Sequence, residues 1–407
     1  MDFNIYTLKN GVRVVHKQKL YSDISHLGIL INSGSRDEAA EKQGLAHFIE
    51  HCLFKGTTTK KSIEILNRLD KVGGETNAYT SKEETAVYAS CMNIHFEKAL
   101  ELITDITFNS IFPEKEIQKE KDVILDEINS YLDTPAEQIF DDFDEIVFKN
   151  HPLGRNILGD AKTVKSFTRT DIDDFIKKNY VSENLVVSIV SNLPLEKVKS
   201  MVENHTNHIV KARKNQPKKK PIQYIPQHSV VRKNTHQCHY ILGNRAYAFN
   251  DKMRTPMVLL NNILGGPAMN SRLNLNIREK HGLAYTIDSN YQAFHDSGIF
   301  EIYIATDKIN LEKSHQLISK ELDKLCSIKL SEKQLSEAKQ QIIGQITLAQ
   351  ESGATMMLSY AKSLLTRNKV DTNEVLFKKI HNITSSEILQ AANEIFEPNQ
   401  LSSITYL

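Results

Sequence analysis

The stretch HFIEH, residues 47–51, lies inside LAHFIEHCLFKGT, residues 45–57, and decides how the rest of the chain is interpreted. In a helix, residues i and i+4 stand one turn apart on the same face. The spacing therefore predicts that His47 and His51 bind one metal ion together, with Glu50 close enough to reach a water molecule on that ion. Two histidines at this spacing can also form an ordinary surface pair. Other motifs in the chain are needed to distinguish a metal site from such a pair.

The order H-x-x-E-H is the reverse of the zinc-peptidase motif H-E-x-x-H. A catalytic zinc ion takes three protein ligands and leaves one position for water. The acidic helix 120–127 is the best source of a third ligand, because Glu120 and Glu127 share one face. Glu127 is a candidate ligand and Glu120 a candidate for orienting one. Asp126 competes for the ligand role but points about 100° away, and a solvated acidic face is the alternative for all three.

Composition restricts the possible classes of protein. With 407 residues, 40% of them hydrophobic, the chain is long enough for two domains with their own cores. A formal net charge of +1 gives no global attraction to nucleic acid or anionic membrane, so neither is expected as a partner. Residues 1–17 lack the continuous apolar stretch of a signal peptide, which predicts a cytoplasmic location. The scattered cysteines predict reduced, partly buried thiols.

The sequence pattern indicates that the chain contains a duplicated domain. A basic stretch, KARKNQPKKKP at 211–221, predicts a linker between a domain at 1–210 and a homologous domain at 222–407. Identical residues recur at successive shifts of 209, 215 and 218, as in Ser62 with Ser271 and Lys121 with Lys339. At these shifts the candidate site residues meet residues without metal-binding groups: His47, Glu50, His51 and Glu127 align with Pro256, Leu259, Leu260 and Gln345. The fold therefore does not require these polar residues, which indicates a task specific to the first half.

The secondary-structure pattern predicts an α+β fold. Runs of β-branched and aromatic residues predict strands at 26–32, 85–92, 185–190 and 300–305. Helices are predicted at 45–54, 62–72, 95–109 and 113–133. We therefore expect two homologous α/β-layer domains, each with a mostly antiparallel sheet packed against helices.

Four motifs together resemble the pitrilysin/insulinase family of zinc peptidases, and in particular its short, processing-peptidase-like bacterial chains. They are residues 45–57, GGETNAYT at 73–80, the acidic helix 120–127, and HPLGRNILG at 151–159. The resemblance places the third ligand about 76 residues after the second histidine, which selects Glu127, and implies one zinc ion per chain. It also implies that residues 75–80 form an edge strand to which a peptide adds as an extra strand, in contact with Asn77 and Ala78.

The second half carries a further part of the resemblance. SRL at 271–273 and REKHGLAY at 278–285 match the C-terminal signature of the family. The resemblance implies that Arg278 and Tyr285 reach the substrate near the scissile bond, where they can donate hydrogen bonds to a carbonyl and its developing oxyanion. A structural salt bridge and a core tyrosine are the alternatives.

The resemblance implies a zinc-dependent endopeptidase that hydrolyses unfolded peptides in an enclosed cavity, with Glu50 as the general base. In that family four homologous domains form a clamshell. This chain holds two of them, so a homodimer with sites shared across chains is expected. The alternatives are a non-catalytic subunit of a processing-peptidase-like assembly and an active chain that needs an unlike partner.

Overall fold

The computed structural model describes residues 3–212, 218–233 and 235–407, so the predicted linker lies partly outside the described residues. The strands in chain order are β1 (Asn4–Thr7), β2 (Arg13–Gln18), β3 (Ile24–Ile31), β4 (Glu75–Thr80), β5 (Thr85–Met92), β6 (Leu185–Ser191), β7 (His228–Val231), β8 (Cys238–Ala246), β9 (Ala284–Ala293), β10 (Gly298–Thr306) and β11 (Ser402–Tyr406). The helices are α1 (Leu45–Cys52), α2 (Ser62–Asp70), α3 (Phe96–Phe108), α4 (Glu114–Leu132), α5 (Pro135–Val147), α6 (Ala161–Ser166), α7 (Arg169–Asn179), α8 (Leu195–Thr206), α9 (Arg254–Gly265), α10 (Leu311–Ser327), α11 (Glu332–Ala349), α12 (Gly353–Arg367), α13 (Asn373–His381) and α14 (Ser385–Ile395).

The first sheet has the strand order β1-β2-β6-β3-β5-β4. Only the pair β2–β6 is parallel, and the other neighbours are antiparallel. Strand β6 is buried along its whole length, as its sequence LVVSIVS predicts for a central strand. Strand β4 stands at the edge, paired with β5 alone among the strands of the described chain. The edge position predicted for residues 75–80 is therefore confirmed.

The second sheet repeats the arrangement of the first. Its order is β7-β11-β8-β10-β9, with β7–β11 parallel and the remaining neighbours antiparallel. Position by position this is the series β2-β6-β3-β5-β4, with the same pattern of strand directions. The predicted class, two α/β layers with mostly antiparallel sheets and homologous topology, is confirmed.

Each half of the sequence contributes one helix to the compact unit of the other half. The first unit comprises Met1–Asn129, Arg155–Lys218 and Leu348–Thr372, and the second comprises Ser130–Gly154, Lys219–Thr347 and Asn373–Leu407. Helix α12 packs on β3 and β6 of the first unit, and α5 packs on β8 and β11 of the second. The first residues of these two helices, at 135 and 353, are separated by the repeat shift of 218. The compact units therefore depart from the predicted limits 1–210 and 222–407 by two equivalent segments, and those limits stay a prediction.

Helix α12 covers an apolar face of the first sheet. Its residues Ala361, Leu364 and Leu365 are buried, at the three- and four-residue spacing of one helix face. They pack in one cluster with buried strand residues: Val15, Leu30, Ala86 and Val186. The hydroxyl of Ser188 on β6 donates to the carbonyl of Met357 at 2.7 Å. The first sheet thus depends on a helix encoded more than 150 residues beyond its last strand.

The cysteines carry free thiols, and Cys52, Cys91 and Cys238 are buried, as their scattered spacing predicts. Within residues 3–212, 218–233 and 235–407, no helix combines the length and the apolar character needed to cross a membrane.

Candidate active site

Helix α1 separates its apolar and polar residues onto two faces. The side that joins the core of the first unit consists of Leu45, Ala46, Phe48, Ile49 and Cys52. The polar residues His47, Glu50 and His51 lie outside this set and are only partly buried. Burial of the apolar side fixes the rotation of the helix about its axis, so the polar side faces outward as one group.

The start of α1 is held by close backbone packing. Gly44, which precedes the helix, has φ +93°, and a Cβ there would lie 2.5 Å from the carbonyl oxygen of Leu158. A Cβ on Gly159, at φ +73°, would lie 2.3 Å from the carbonyl oxygen of Gln43. Only glycine combines these conformations with such an approach. The motif at residues 151–159 therefore ends in a loop that packs against the first turn of α1.

Glu38 binds backbone N–H groups at the same helix end that lack partners within the helix. Its Oε2 accepts from the N–H of Gly44 at 2.9 Å, and its Oε1 accepts from the N–H of Ala46 at 2.8 Å. Burial raises the pKa of Glu38 to about 8, although these N–H donors and Arg155 oppose the shift by favouring the ionised form. Glu38 thus caps the helix that carries the histidines. The sequence contained no signal for this role, because the contact joins a loop to a helix without a recognised capping spacing.

The structure brings His47, His51 and Glu127 together. One potential ligand atom from each lies within 4.8 Å of the other two. The Nε2 atoms of His47 and His51 lie 3.8 Å and 3.6 Å from the two carboxylate oxygens of Glu127. The competing residue Asp126 is exposed and lies outside this cluster. The prediction that α1 and α4 bring these three side chains together is therefore confirmed.

The donor set fits a zinc ion. Two imidazole nitrogens and one carboxylate oxygen are ligands that zinc accepts at about 2.0–2.2 Å, and a third-ligand carboxylate with two histidines is a known catalytic set. Burial, together with the neighbouring His51, lowers the pKa of His47 to about 4. His47 is therefore neutral near pH 7, which is the state that can donate a nitrogen lone pair to a metal.

Glu120 contacts His51 from the side away from Glu127. Its Oε2 lies 3.4 Å from His51 Nδ1, and its Oε1 lies 2.6 Å from the ammonium of Lys55. Glu120 is buried because it shares the packed side of α4 with Ile117, Ile124 and Ile128. The predicted placement of Glu120 beside a histidine is observed. Lys55 was missed, although its position four residues after His51 was a usable signal.

Glu50 lies between the histidines and the edge strand. Its pKa is raised, chiefly because burial disfavours the charged carboxylate. Interactions with Thr80, the last residue of β4, and with His51 oppose this shift, whereas Glu127 adds to it. Helix α1 packs beside β4. A carboxylate in this position is next to both the histidine pair and the strand edge.

The predicted substrate contacts fall in both units. Asn77 and Ala78 lie in the middle of β4, and Asn77 is exposed. In the second unit Arg278 belongs to a π-helical turn, and its guanidinium lies 5.4 Å from the ring centre of Tyr285. Tyr285 is 80% exposed, so it is not a core tyrosine. Because Arg278 and Tyr285 belong to a different unit from His47, His51 and Glu127, their approach to these residues stays a prediction.

Comparison with known proteins gives the family. Residues 13–161 match the model of Insulinase (Peptidase family M16), and residues 166–342 match the model of the Peptidase M16 inactive domain. An uncharacterized zinc protease of Rickettsia felis is 36% identical over 403 residues, which is 99% of this chain and 97% of the relative. The chain belongs to the M16 peptidase family, the family that its motifs resemble.

Two further likenesses agree with this assignment. An uncharacterized zinc protease of Bacillus subtilis is 32% identical over 391 residues, covering 96% of this chain and 95% of the relative. The crystal structure of a protease from Helicobacter pylori superposes with a TM-score of 0.92 at 24% identity, covering 100% of this chain and 99% of that one. The similarity to the Helicobacter pylori structure shows the fold alone.

The second unit carries other side chains at the positions equivalent to the candidate metal ligands. Helix α9 holds Pro256, Leu259 and Leu260 where α1 holds His47, Glu50 and His51, and both leucines are fully buried. Helix α11 holds Gln345 where α4 holds Glu127. The predicted asymmetry between the repeats therefore has a structural counterpart, since α9 uses this face for packing.

Proposed function

We propose that this protein is a zinc-dependent endopeptidase that hydrolyses unfolded peptides. The observation that carries the proposal is the convergence of His47, His51 and Glu127 within 4.8 Å, with Glu50 on the same helix face. The names of its relatives as zinc proteases support the choice of metal. One zinc ion per chain is expected, since the equivalent positions on α9 and α11 carry no histidine or carboxylate.

Each residue of the site has a separate task in the proposed reaction. When bound, zinc makes a water molecule more acidic and polarises the scissile carbonyl. His47, His51 and Glu127 would hold the ion. Glu50 accepts the proton that the attacking water loses and later passes it to the leaving amine nitrogen. Its raised pKa is compatible with both directions of transfer but is not needed for the assignment.

The position of β4 at the edge of the sheet, among the strands that the structure describes, supports a peptide-binding role. An extended peptide can pair its N–H and C=O groups with the backbone edge of Glu75–Thr80 that faces away from β5. Asn77 and Ala78 would contact its side chains. Because such pairing uses mainly the peptide backbone, broad sequence specificity is expected. Arg278 and Tyr285 would donate hydrogen bonds to the substrate near the scissile bond.

Removal and return of the metal tests the proposal. We expect the zinc-loaded protein to cleave a quenched fluorescent library of unstructured peptides, with cleavage lost after chelation and restored by one equivalent of zinc. The control is a folded protein whose amino-acid composition matches that of the peptide library, and we expect it to resist cleavage. A zinc-loaded chain that binds the metal and leaves every peptide intact would contradict the proposal and favour the non-catalytic or partner-dependent alternative.

We further propose that two copies of this chain pair, and that Arg278 and Tyr285 of one copy serve the zinc site of the other. Mixing an inactive His51→Ala protein with an inactive Arg278→Ala protein under exchange conditions is expected to restore part of the activity. The restored fraction is measured as peptide cleavage, with heterodimer formation followed by native mass spectrometry. Confirmed heterodimers without activity would contradict the shared site.

A further inference from the structure

We propose that Lys55 is a positioning residue of the zinc site, and that its ammonium group holds the carboxylate of Glu120 in the orientation that directs His51 toward the metal. The inference rests on the proposed zinc function. In this proposal Lys55 acts through Glu120 and His51 and does not itself contact the reacting atoms.

The contacts form a chain through one carboxylate. Lys55 Nζ lies 2.6 Å from Glu120 Oε1, and His51 Nδ1 lies 3.4 Å from Glu120 Oε2. The two ends of the carboxylate are thus occupied by different partners. On its other side, His51 directs Nε2 toward Glu127 Oε2 at 3.6 Å. The sequence of contacts runs from Lys55 through Glu120 to the histidine and then to the candidate metal ligands.

The burial of Glu120 explains why a cation is needed there. The side chain of Glu120 is 6% exposed, whereas that of Lys55 is 29% exposed. A buried carboxylate is costly unless it is paired, and removal of one partner leaves an uncompensated charge. Lys55 balances that charge and also engages one oxygen, which leaves the other oxygen free to accept from His51. A carboxylate that accepts from one ring nitrogen orients a metal-binding histidine and keeps its second nitrogen available.

The backbone holds Lys55 in place. The short 3₁₀ turn Leu53–Lys55 continues α1, so Lys55 follows His51 by one turn on the same side. The turn ends at Gly56, whose φ is +139°. Next to it, the hydroxyl of Ser62 donates to the carbonyl of Phe54 at 2.9 Å. The side chain of Lys55 therefore reaches Glu120 from a backbone position that is held in place.

The test measures zinc affinity, a property that does not depend on turnover. Competition with a zinc chelator gives the dissociation constant for the wild type and for Lys55→Met, Lys55→Arg and Lys115→Met. Loss of a group that orients a ligand weakens metal binding by about 10–100-fold, and we expect Lys55→Met to fall near the lower limit. Lys55→Arg should recover most of the affinity, because it restores the cation. Lys115→Met removes an exposed lysine from the same helix as Glu120 and should leave affinity unchanged.

A double-mutant cycle with Glu120→Gln identifies the route of the effect. If Lys55 acts through Glu120, Lys55→Met adds little to the loss already caused by Glu120→Gln. Additive losses, or a Lys55→Met protein that binds zinc as tightly as the wild type, would overturn the inference. The melting temperature of each zinc-free variant checks that its fold is intact. A wild type that binds zinc without cleaving peptides would contradict the proposed peptidase activity alone, and a wild type that binds no zinc would overturn both.

Discussion

Replacement of Glu50 by glutamine is expected to lower kcat for peptide hydrolysis by about 10²–10⁴-fold, the usual contribution of a general base. The amide has nearly the shape of the carboxylate but cannot accept the proton of the attacking water. Because His47, His51 and Glu127 are unchanged, the variant should still bind one zinc ion per chain. Initial rates on a fluorescent peptide, with zinc content measured on the same sample, check both parts of the expectation.

Asp126→Asn is the matched control for Glu50→Gln. It removes one carboxylate charge beside Glu127, but Asp126 is exposed and lies outside the cluster of His47, His51 and Glu127. Its kcat should stay within about twofold of the wild type, since exposed changes away from special contacts have small effects. Full activity of zinc-loaded Glu50→Gln would refute the role of Glu50 as the base. Loss of zinc from that variant would instead place Glu50 among the groups that hold the metal.

Ala361→Asp is expected to destabilise the first unit by about 3–5 kcal/mol, the cost of an uncompensated buried charge. Ala361 is fully buried on α12, among side chains of the first sheet. Although Ala361 is encoded in the second half of the sequence, the damage should fall on strands of the first half. Urea unfolding gives the free energy, and hydrogen exchange should show lost protection in β3 and β6.

Ser359→Asp provides the control for this second prediction. It adds the same carboxylate to the same helix, two residues away, at an exposed position. Its free energy of unfolding should change by no more than about 0.5 kcal/mol. If Ala361→Asp were as stable as Ser359→Asp, the packing of α12 on the first sheet would be contradicted. Loss of exchange protection confined to β8 and β10 would contradict it as well.

Much of the fold could be predicted from local patterns. The predicted strand at 85–92 coincides with β5, and the predicted helix at 113–133 differs from α4 by one residue at each end. The exchange of α5 and α12 could not be predicted, because both helices are amphipathic and equivalent in the two repeats. Either helix can cover either sheet as far as periodicity is concerned, and only tertiary packing decides between them.

Some residues of the candidate site could be predicted from local sequence signals, and others could not. The spacing within residues 47–51 and the seven-residue interval from Glu120 to Glu127 are local signals, and the helices carrying them meet as expected. Glu38 acts through a contact between a loop and a helix, and nothing in its own sequence surroundings distinguishes it from other charged residues. Lys55 has a local signal in its position four residues after His51, but its partner Glu120 lies on another helix. Arg278 and Tyr285 were selected by resemblance alone. The structure brings these two side chains together.

The most direct test of the metal centre is anomalous X-ray scattering at the zinc absorption edge from crystals of the zinc-loaded protein. The expected result is one peak per chain, at about 2.0–2.2 Å from Nε2 of His47, Nε2 of His51 and a carboxylate oxygen of Glu127. A peak held by other residues, or no peak in crystals whose protein binds zinc in solution, would contradict the assignment of these three ligands.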